Sequence, residues 1–345
     1  MCEVIITNWH EHLTLIGFKD NKVQMLDVLD QDDRTGNIYV GRVENLLTNL
    51  NAAFVRFQKD GGKHGIGFLP LRALDPKLIL NRVVGSPDEL KAGDIVLVQV
   101  SVEEMKTKQA RLTGRIDIEK SDFNGDMEQL ISVARTRTEY QRISNESVST
   151  ALYIKNICDN LKIITDDKHL KIITDVTSVY NELIENKCFF EEVSIEYYDE
   201  EEKRLPLSVC YSLISKTEDL FKKKVWLDSG AFLVIEQTET LNLIDVNSGK
   251  ALKKSEDFFL QLNMEAAREA YRQIRLRNLS GMILIDFVSL KKADSNEKLI
   301  SYIKNLIRND PMHLSLIDMT KLGIIEFTRD KSKKSLRETI DIRKM

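Results

Sequence analysis

The 345 residues include only four cysteines, Cys2, Cys158, Cys188 and Cys210, with no C-x-x-C spacing among them. That excludes a disulfide-dense scaffold and leaves reduced thiols in a cytosolic protein as the simplest account. The histidines, His10, His12, His64, His169 and His313, form no ligand-spaced cluster. A phosphate-cradling glycine loop and a Gly-x-Ser-x-Gly elbow are also missing, which removes two common routes to nucleotide and ester chemistry. No uninterrupted apolar run reaches membrane-spanning length, and the opening MCEVIITNWHEH lacks a basic stretch followed by a long apolar one. The expectation is a cytoplasmic protein with no membrane-spanning segment. Charge of one sign is scarce as well: a formal net charge of −4 and a pI near 5.9 argue against a blanket polyanion-binding coat. Any contact with nucleic acid must come from local basic patches.

What is present is a chain with 42% hydrophobic residues, enough to bury substantial cores in two or three domains. Its organising stretch runs from Leu241 to Leu290, where two apolar runs, LNLIDVNSG and MILIDFVSL, carry Asp245 and Asp286. Both runs read as strands, the first closed by the turn-forming Asn247-Ser248-Gly249. Between them, Met264 to Arg277 places Ala267, Ala270, Tyr271 and Ile274 at helical spacing, with Arg268, Arg272 and Arg275 on a neighbouring stripe. A strand, helix, strand unit puts its strands side by side, about 4.8 Å apart, so the two carboxylates can share one cation. Either acid alone is ordinarily the start of a turn. Two of them, each inside an apolar run, need a compensating charge, and hydrated magnesium suits such a site.

Earlier in the chain, Val4 to Leu29 reads as a small antiparallel sheet. From Gly36, the short strands NIYVGRV, AAFVRF, GIGFLPL and DIVLVQV, with a turn at Gly61-Gly62 and tight bends at Gly41 and Gly67, have the look of a five-stranded OB barrel. Such barrels hold single-stranded nucleic acid on exposed aromatics and basic side chains. Tyr39, Phe54, Phe57 and Phe68 supply rings, and each could equally fill the barrel. Arg42, Lys63, His64, Arg72, Lys106, Lys108 and Arg111 supply charge or donors. Residues Asp117 to Lys224 are less legible. LKIITD occurs at Leu161–Asp166 and again at Leu170–Asp175, and both copies are expected to be short strands. Beyond these, Val176 to Ile184 reads as a helix, Val193 to Tyr197 as a strand and the acidic run from Asp199 as a solvated loop. Near the end, Leu299 to Ile307 reads as a helix, and SLIDMT and GIIEFT as strands. The tail offers Arg329, Lys331, Lys333 and Lys334 as phosphate contacts or as a solvated basic surface.

Taken in order, these segments resemble the ribonuclease E/G family of endoribonucleases. GNIYVGRV, AAFVRF, HGIGFLPL, LVQV and KTKQARLT are similar to its inserted S1-type OB domain. KVWLDSGAFLVIEQTETLNLIDVNSGK, NMEAAREAYRQIRLRNLSGMILIDFVSL and LGIIEFTR are similar to its catalytic core. The resemblance implies an α/β (α+β) fold in four segments. These are the N-terminal part of an RNase H-like subdomain (1–35), an S1-type OB domain (36–115), a shortened 5′-sensor and RNase H-like region (116–224) and a magnesium-dependent catalytic core (225–345).

The resemblance further implies that Asp245 and Asp286 bind catalytic magnesium with Asn247 alongside, and that single-stranded RNA is hydrolysed to 5′-phosphate and 3′-hydroxyl ends in RNA decay or rRNA processing. Arg275 or Arg277 would steady the phosphate, and Phe54, Phe68 and Lys108 would grip RNA. Arg135-Thr136 would be the pair that senses a 5′-monophosphate. Three departures stand out. The sensor segment is short, the zinc-linking C-P-x-C motif is absent so that a homodimer would form without a zinc link, and Ser289 replaces a second acid after Asp286. A non-catalytic RNA-binding or ribosome-assembly protein on the same fold is the alternative, and a DNA-directed nuclease a third reading.

Overall fold

The computed structural model describes residues 2–340 apart from 10–11, 30–33, 59–63, 105–107, 119–120, 122, 124, 138–139, 144–149, 191, 250–254 and 332. The expected turn at Gly61-Gly62, and Lys63, Lys106 and His10, lie outside the described residues.

The chain opens with an antiparallel meander, β1 (Cys2–Trp9), β2 (His12–Lys19) and β3 (Lys22–Val28). Next come β4 (Ile38–Leu47), β5 (Ala52–Gln58), β6 (His64–Pro70), β7 (Ile95–Val102) and β8 (Ala110–Thr113), which form a closed barrel in the order β4-β5-β6-β8-β7. Pairing of β4 with β7, from Ile38↔Gln99 to Arg42↔Ile95, closes the ring. Gly41 and Gly67 serve close packing. A Cβ on Gly41 would lie 2.4 Å from Val55 Cγ1, and one on Gly67 would lie 2.6 Å from the Leu112 side chain. Tyr39 and Phe57 are buried in the barrel core, 4.9 Å apart between ring centroids. Helix α1 (Met127–Thr136) follows, started by a capping box between Asp126 and Gln129.

Helix α2 (Thr150–Thr165) comes next, and it overturns one expectation. The first LKIITD is its last turn, whereas the second copy is strand β9 (Leu170–Thr174). The residues upstream decide between the two. Ala151, Ile154, Ile157, Cys158, Leu161 and Thr165 are buried at helical spacing, so the first copy completes an apolar stripe that began well before it. Helix α3 (Thr177–Glu185) and β10 (Val193–Tyr197) stand where expected. The acidic run is a short helix rather than a loop, α4 (Glu200–Lys203), because Asp199 accepts hydrogen bonds from Glu201 N and Glu202 N at its start. Strand β9 runs parallel to both β1 and β10, giving a five-stranded sheet in the order β10-β9-β1-β2-β3.

After the short helices α5 (Leu207–Cys210) and α6 (Leu213–Glu218) come β11 (Lys224–Trp226), β12 (Phe232–Gln237) and β13 (Asn242–Asn247). These are followed by α7 (Glu256–Leu276), β14 (Gly281–Asp286), α8 (Ala293–Ile307), β15 (Ser315–Met319), β16 (Ile324–Arg329) and α9 (Leu336–Thr339). Their strands build a six-stranded mixed sheet in the order β11-β12-β13-β14-β16-β15. Helices α7 and α8 cover one face through a core that includes Leu233, Ile244, Ile283, Ile325, Leu299 and Ile303. Each such residue contributes about 1.5–3 kcal/mol by leaving water.

By contacts the chain divides into two compact units, Met1–Leu29 with Ile154–Met345, and Asp30–Tyr153. The second contains the barrel. The first contains both open sheets, so the expected catalytic core shares one body with the N-terminal strands and with 154–224. Among the described residues no helix is long and apolar enough to cross a membrane.

The tail is also corrected. Arg329 is buried and pairs with buried Asp310 at 3.1 Å, and Lys333 pairs with Asp27 at 2.8 Å, so neither is a free phosphate contact. Lys331 and Lys334 are exposed.

Candidate active site

Burial alternates along β13. Asn242, Ile244 and Val246 face the helices, whereas Leu243, Asp245 and Asn247 face the other way. The same alternation on β14 buries Ile283 and Ile285 and leaves Asp286 exposed at the strand's last position. Because β13 and β14 are parallel, with Asp245 directly opposite Asp286, the two carboxylates rise side by side from the open face near the carboxyl ends of their strands. Strand neighbours of this kind are about 4.8 Å apart. Asn247 Nδ2 donates to Asp245 Oδ2 and holds that carboxylate's orientation. Among the described residues no group of three or more acidic, histidine or cysteine side chains is gathered to hold a metal, so the oxygen donors here are this pair. Two carboxylates in register, with no ion pair to a described residue, fit a cation that keeps most of its own water, which is the habit of magnesium.

The pair is held from behind by a residue that the sequence reading passed over. Asn263, fully buried on α7, donates through Nδ2 to Val288 O at 2.8 Å and accepts from Val288 N at 3.1 Å. This clamp fixes the chain two residues past Asp286. Its signal in the sequence was an asparagine interrupting an apolar helical stripe.

The arginine stripe of α7 sits elsewhere. The helix runs back along the sheet between β13 and β14, so its C-terminal end lies at the end of the strands away from the acids. There Arg272 Nη1 donates to Val23 O and Arg275 Nη1 donates to Gln24 O, covering the free edge of β3. Arg275 also lies over the Tyr271 ring at 4.6 Å, and burial pushes its guanidinium below the usual range. Arg277 is buried and donates through Nε to Gln273 Oε1. Burial, then Arg337, pushes it down to about 10. Neither Arg275 nor Arg277 shares the face of Asp245 and Asp286, so the expected phosphate contact from them is corrected: they brace the fold.

Comparison with known proteins decides the lineage. The model of the ribonuclease E/G family matches residues 106–332. The chain belongs to the ribonuclease E/G family. It is 26% identical to ribonuclease E of Nostoc sp. (strain PCC 7120), an alignment covering 97% of this chain and 56% of that protein. It is likewise 26% identical to ribonuclease E of Synechocystis sp. (strain PCC 6803), covering 97% and 58%. Against ribonuclease G of Escherichia coli (strain K12) it is 24% identical over 88% of this chain and 74% of that protein. The chain therefore spans less than two thirds of the length of the two cyanobacterial relatives.

In this ribonuclease E/G family member, the other positions picked out in the sequence fall on the barrel unit. Phe54 and Phe68 are paired across β5 and β6, both half-buried, with ring centroids 6.3 Å apart and meeting edge-on. Arg111 is opposite Phe68 on β8, and both Arg111 and Lys108 are exposed. Arg135 and Thr136 are exposed on the last turn of α1, where Thr136 Oγ1 donates to Val133 O at 2.7 Å. Ser289, where the resemblance expects a second acid, is exposed beyond β14.

Proposed function

We propose that this chain is an endoribonuclease that hydrolyses phosphodiesters of single-stranded RNA at the Asp245–Asp286 pair with magnesium, leaving 5′-phosphate and 3′-hydroxyl ends, in RNA decay or rRNA processing. The observation that carries the reading is the in-register placement of the two carboxylates on an uncovered sheet face, in a chain whose family is ribonuclease E/G. Asp245 and Asp286 bind the ion, and Asn247 holds the Asp245 carboxylate in the orientation that binding needs. Magnesium, when bound, supplies charge stabilisation at the scissile phosphate and lowers the pKa of a coordinated water. Water oxygen joins phosphorus as the bond to the 3′ oxygen breaks, and that oxygen leaves as a hydroxyl. On the barrel unit, Phe54 and Phe68 offer rings to bases while Lys108 meets backbone phosphate. Arg135 and Thr136 take a 5′-monophosphate.

The test is incubation of a labelled single-stranded RNA with wild type, Asp245→Asn and Asp286→Asn, each with and without magnesium. Cleavage by wild type with magnesium, and loss by at least about a hundredfold in both variants, is expected. Equal cleavage by all three overturns the assignment. Binding without any cleavage by wild type favours the non-catalytic alternative. Substrates with 5′-phosphate and 5′-hydroxyl ends should differ in rate, and equal rates remove Arg135 and Thr136 from the site.

A further inference from the structure

Trp226 stands outside the buried core. It is 63% exposed, while its neighbour Val225 points through the sheet and packs on the helix-covered core. Registers place Trp226 opposite Phe232 and Phe232 opposite Asn247, so the indole stands on the open face that carries the acids. The row beside it runs Lys224, Val234, Asp245, Asp286. Phe232 meets the indole edge-on at 5.2 Å and 61°, bracing it from the side of the acids. Lys224 Nζ lies 3.9 Å from the Trp226 ring centroid and 3.7 Å from that of Phe232. A rigid, largely uncovered ring with a cation against it is the pairing that holds single-stranded nucleic acid, since every base has a face to stack and every linkage a charge to neutralise.

We propose that Trp226 is a base-stacking residue that seats one nucleobase of the RNA substrate next to the Asp245–Asp286 pair, with Lys224 beside the adjoining phosphate, and thereby sets which linkage is cut. The proposal rests on the ribonuclease reading of that pair. Two strand spacings put the Trp226 backbone about 10 Å from that of Asn247, so the stacked base belongs to a nucleotide close to the scissile linkage. Stacking on an indole tolerates any base. Trp226 therefore fixes position along the strand rather than sequence.

The test uses the full chain and a mixed-sequence single-stranded oligoribonucleotide in which one abasic residue is moved along the strand around the cut. Trp226→Ala should lower kcat/KM about ten- to hundredfold and scatter the cut over neighbouring linkages. Trp226→Phe should retain most of the rate and the single cut, and the melting temperature of both variants should match wild type. One abasic position should slow wild type by a similar factor and lose its effect in Trp226→Ala. If every abasic position acts alike on wild type and Trp226→Ala, the proposal is overturned. Failure of the ribonuclease reading is distinguishable, because wild type then cuts nothing and the proposal is judged on binding. Trp9, the other tryptophan, is 5% exposed, so quenching of tryptophan emission by the oligoribonucleotide reports Trp226. Absence of quenching while the RNA is bound by fluorescence anisotropy overturns the proposal as well.

Discussion

Asn263 holds Asp286 at one remove. Its amide exchanges both hydrogen bonds with the Val288 backbone, and its side chain has no other role in the helix core. Asn263→Leu keeps the size and leaves the Val288 amide and carbonyl without partners. We expect a stability loss of about 1–3 kcal/mol by urea denaturation and a larger fall in kcat than in substrate affinity. An unchanged kcat in the folded variant would show that the clamp does not position Asp286. At this scale the placement of Asp245 and Asp286 side by side was legible, because one crossover helix makes two strands neighbours. Asn247 read as part of a turn and entered the site only through the family resemblance, whereas it ends the strand on the same face as Asp245. Arg275 and Arg277 could not, since periodicity shows a stripe without showing what lies opposite it. For Arg275 the opposite surface was β3, 251 positions away in sequence at Gln24.

Among the elements, α2 shows how little a short string decides alone. The same five residues, LKIIT, end a helix and form a strand, each according to the apolar stripe it joins. The buried face of α2 also includes Cys158, whose thiol burial pushes from 9.0 up to about 12, with Asp159 adding to the rise. A folded-state value above the unfolded one means that the unfolded chain gives up its proton first as pH rises. The stability held by the neutral thiol is therefore complete below about pH 9 and is lost progressively toward pH 12. Thermal melts should show a fall in Tm across that window that is shallower in Cys158→Ala than in wild type. Parallel slopes would place the alkaline loss in other groups. The sequence supplied no sign of this, because a cysteine's surroundings depend on what packs against its helix.

The whole molecule has separate cores in its two units, one lining the barrel and the others flanking the open sheets. Unfolding should accordingly show more than one calorimetric transition. Phe57, fully buried in the barrel, offers a selective probe. Phe57→Ala should destabilise the barrel by about 3–5 kcal/mol, moving one transition and leaving the other in place. A single transition that shifts as a whole would mean the two units unfold together. The barrel was readable as four closely spaced strands; the joining of 1–29 to the stretch after the barrel came only from the family resemblance, because no local pattern announces a partner so distant in the chain.

That union also sets a timetable for the chain as it is made. Strands β1, β2 and β3 emerge before the barrel and can pair with one another, yet β1 sits in the middle of its sheet and its other edge belongs to β9, with Cys2 opposite Leu170. At about 5–20 residues per second, on the order of ten to thirty seconds of translation separate the two partners. Throughout that interval the whole barrel is produced while the edge of β1 at Val4, Ile5 and Ile6 lacks its β9 partner, so the growing chain carries an unpaired strand among many other strands.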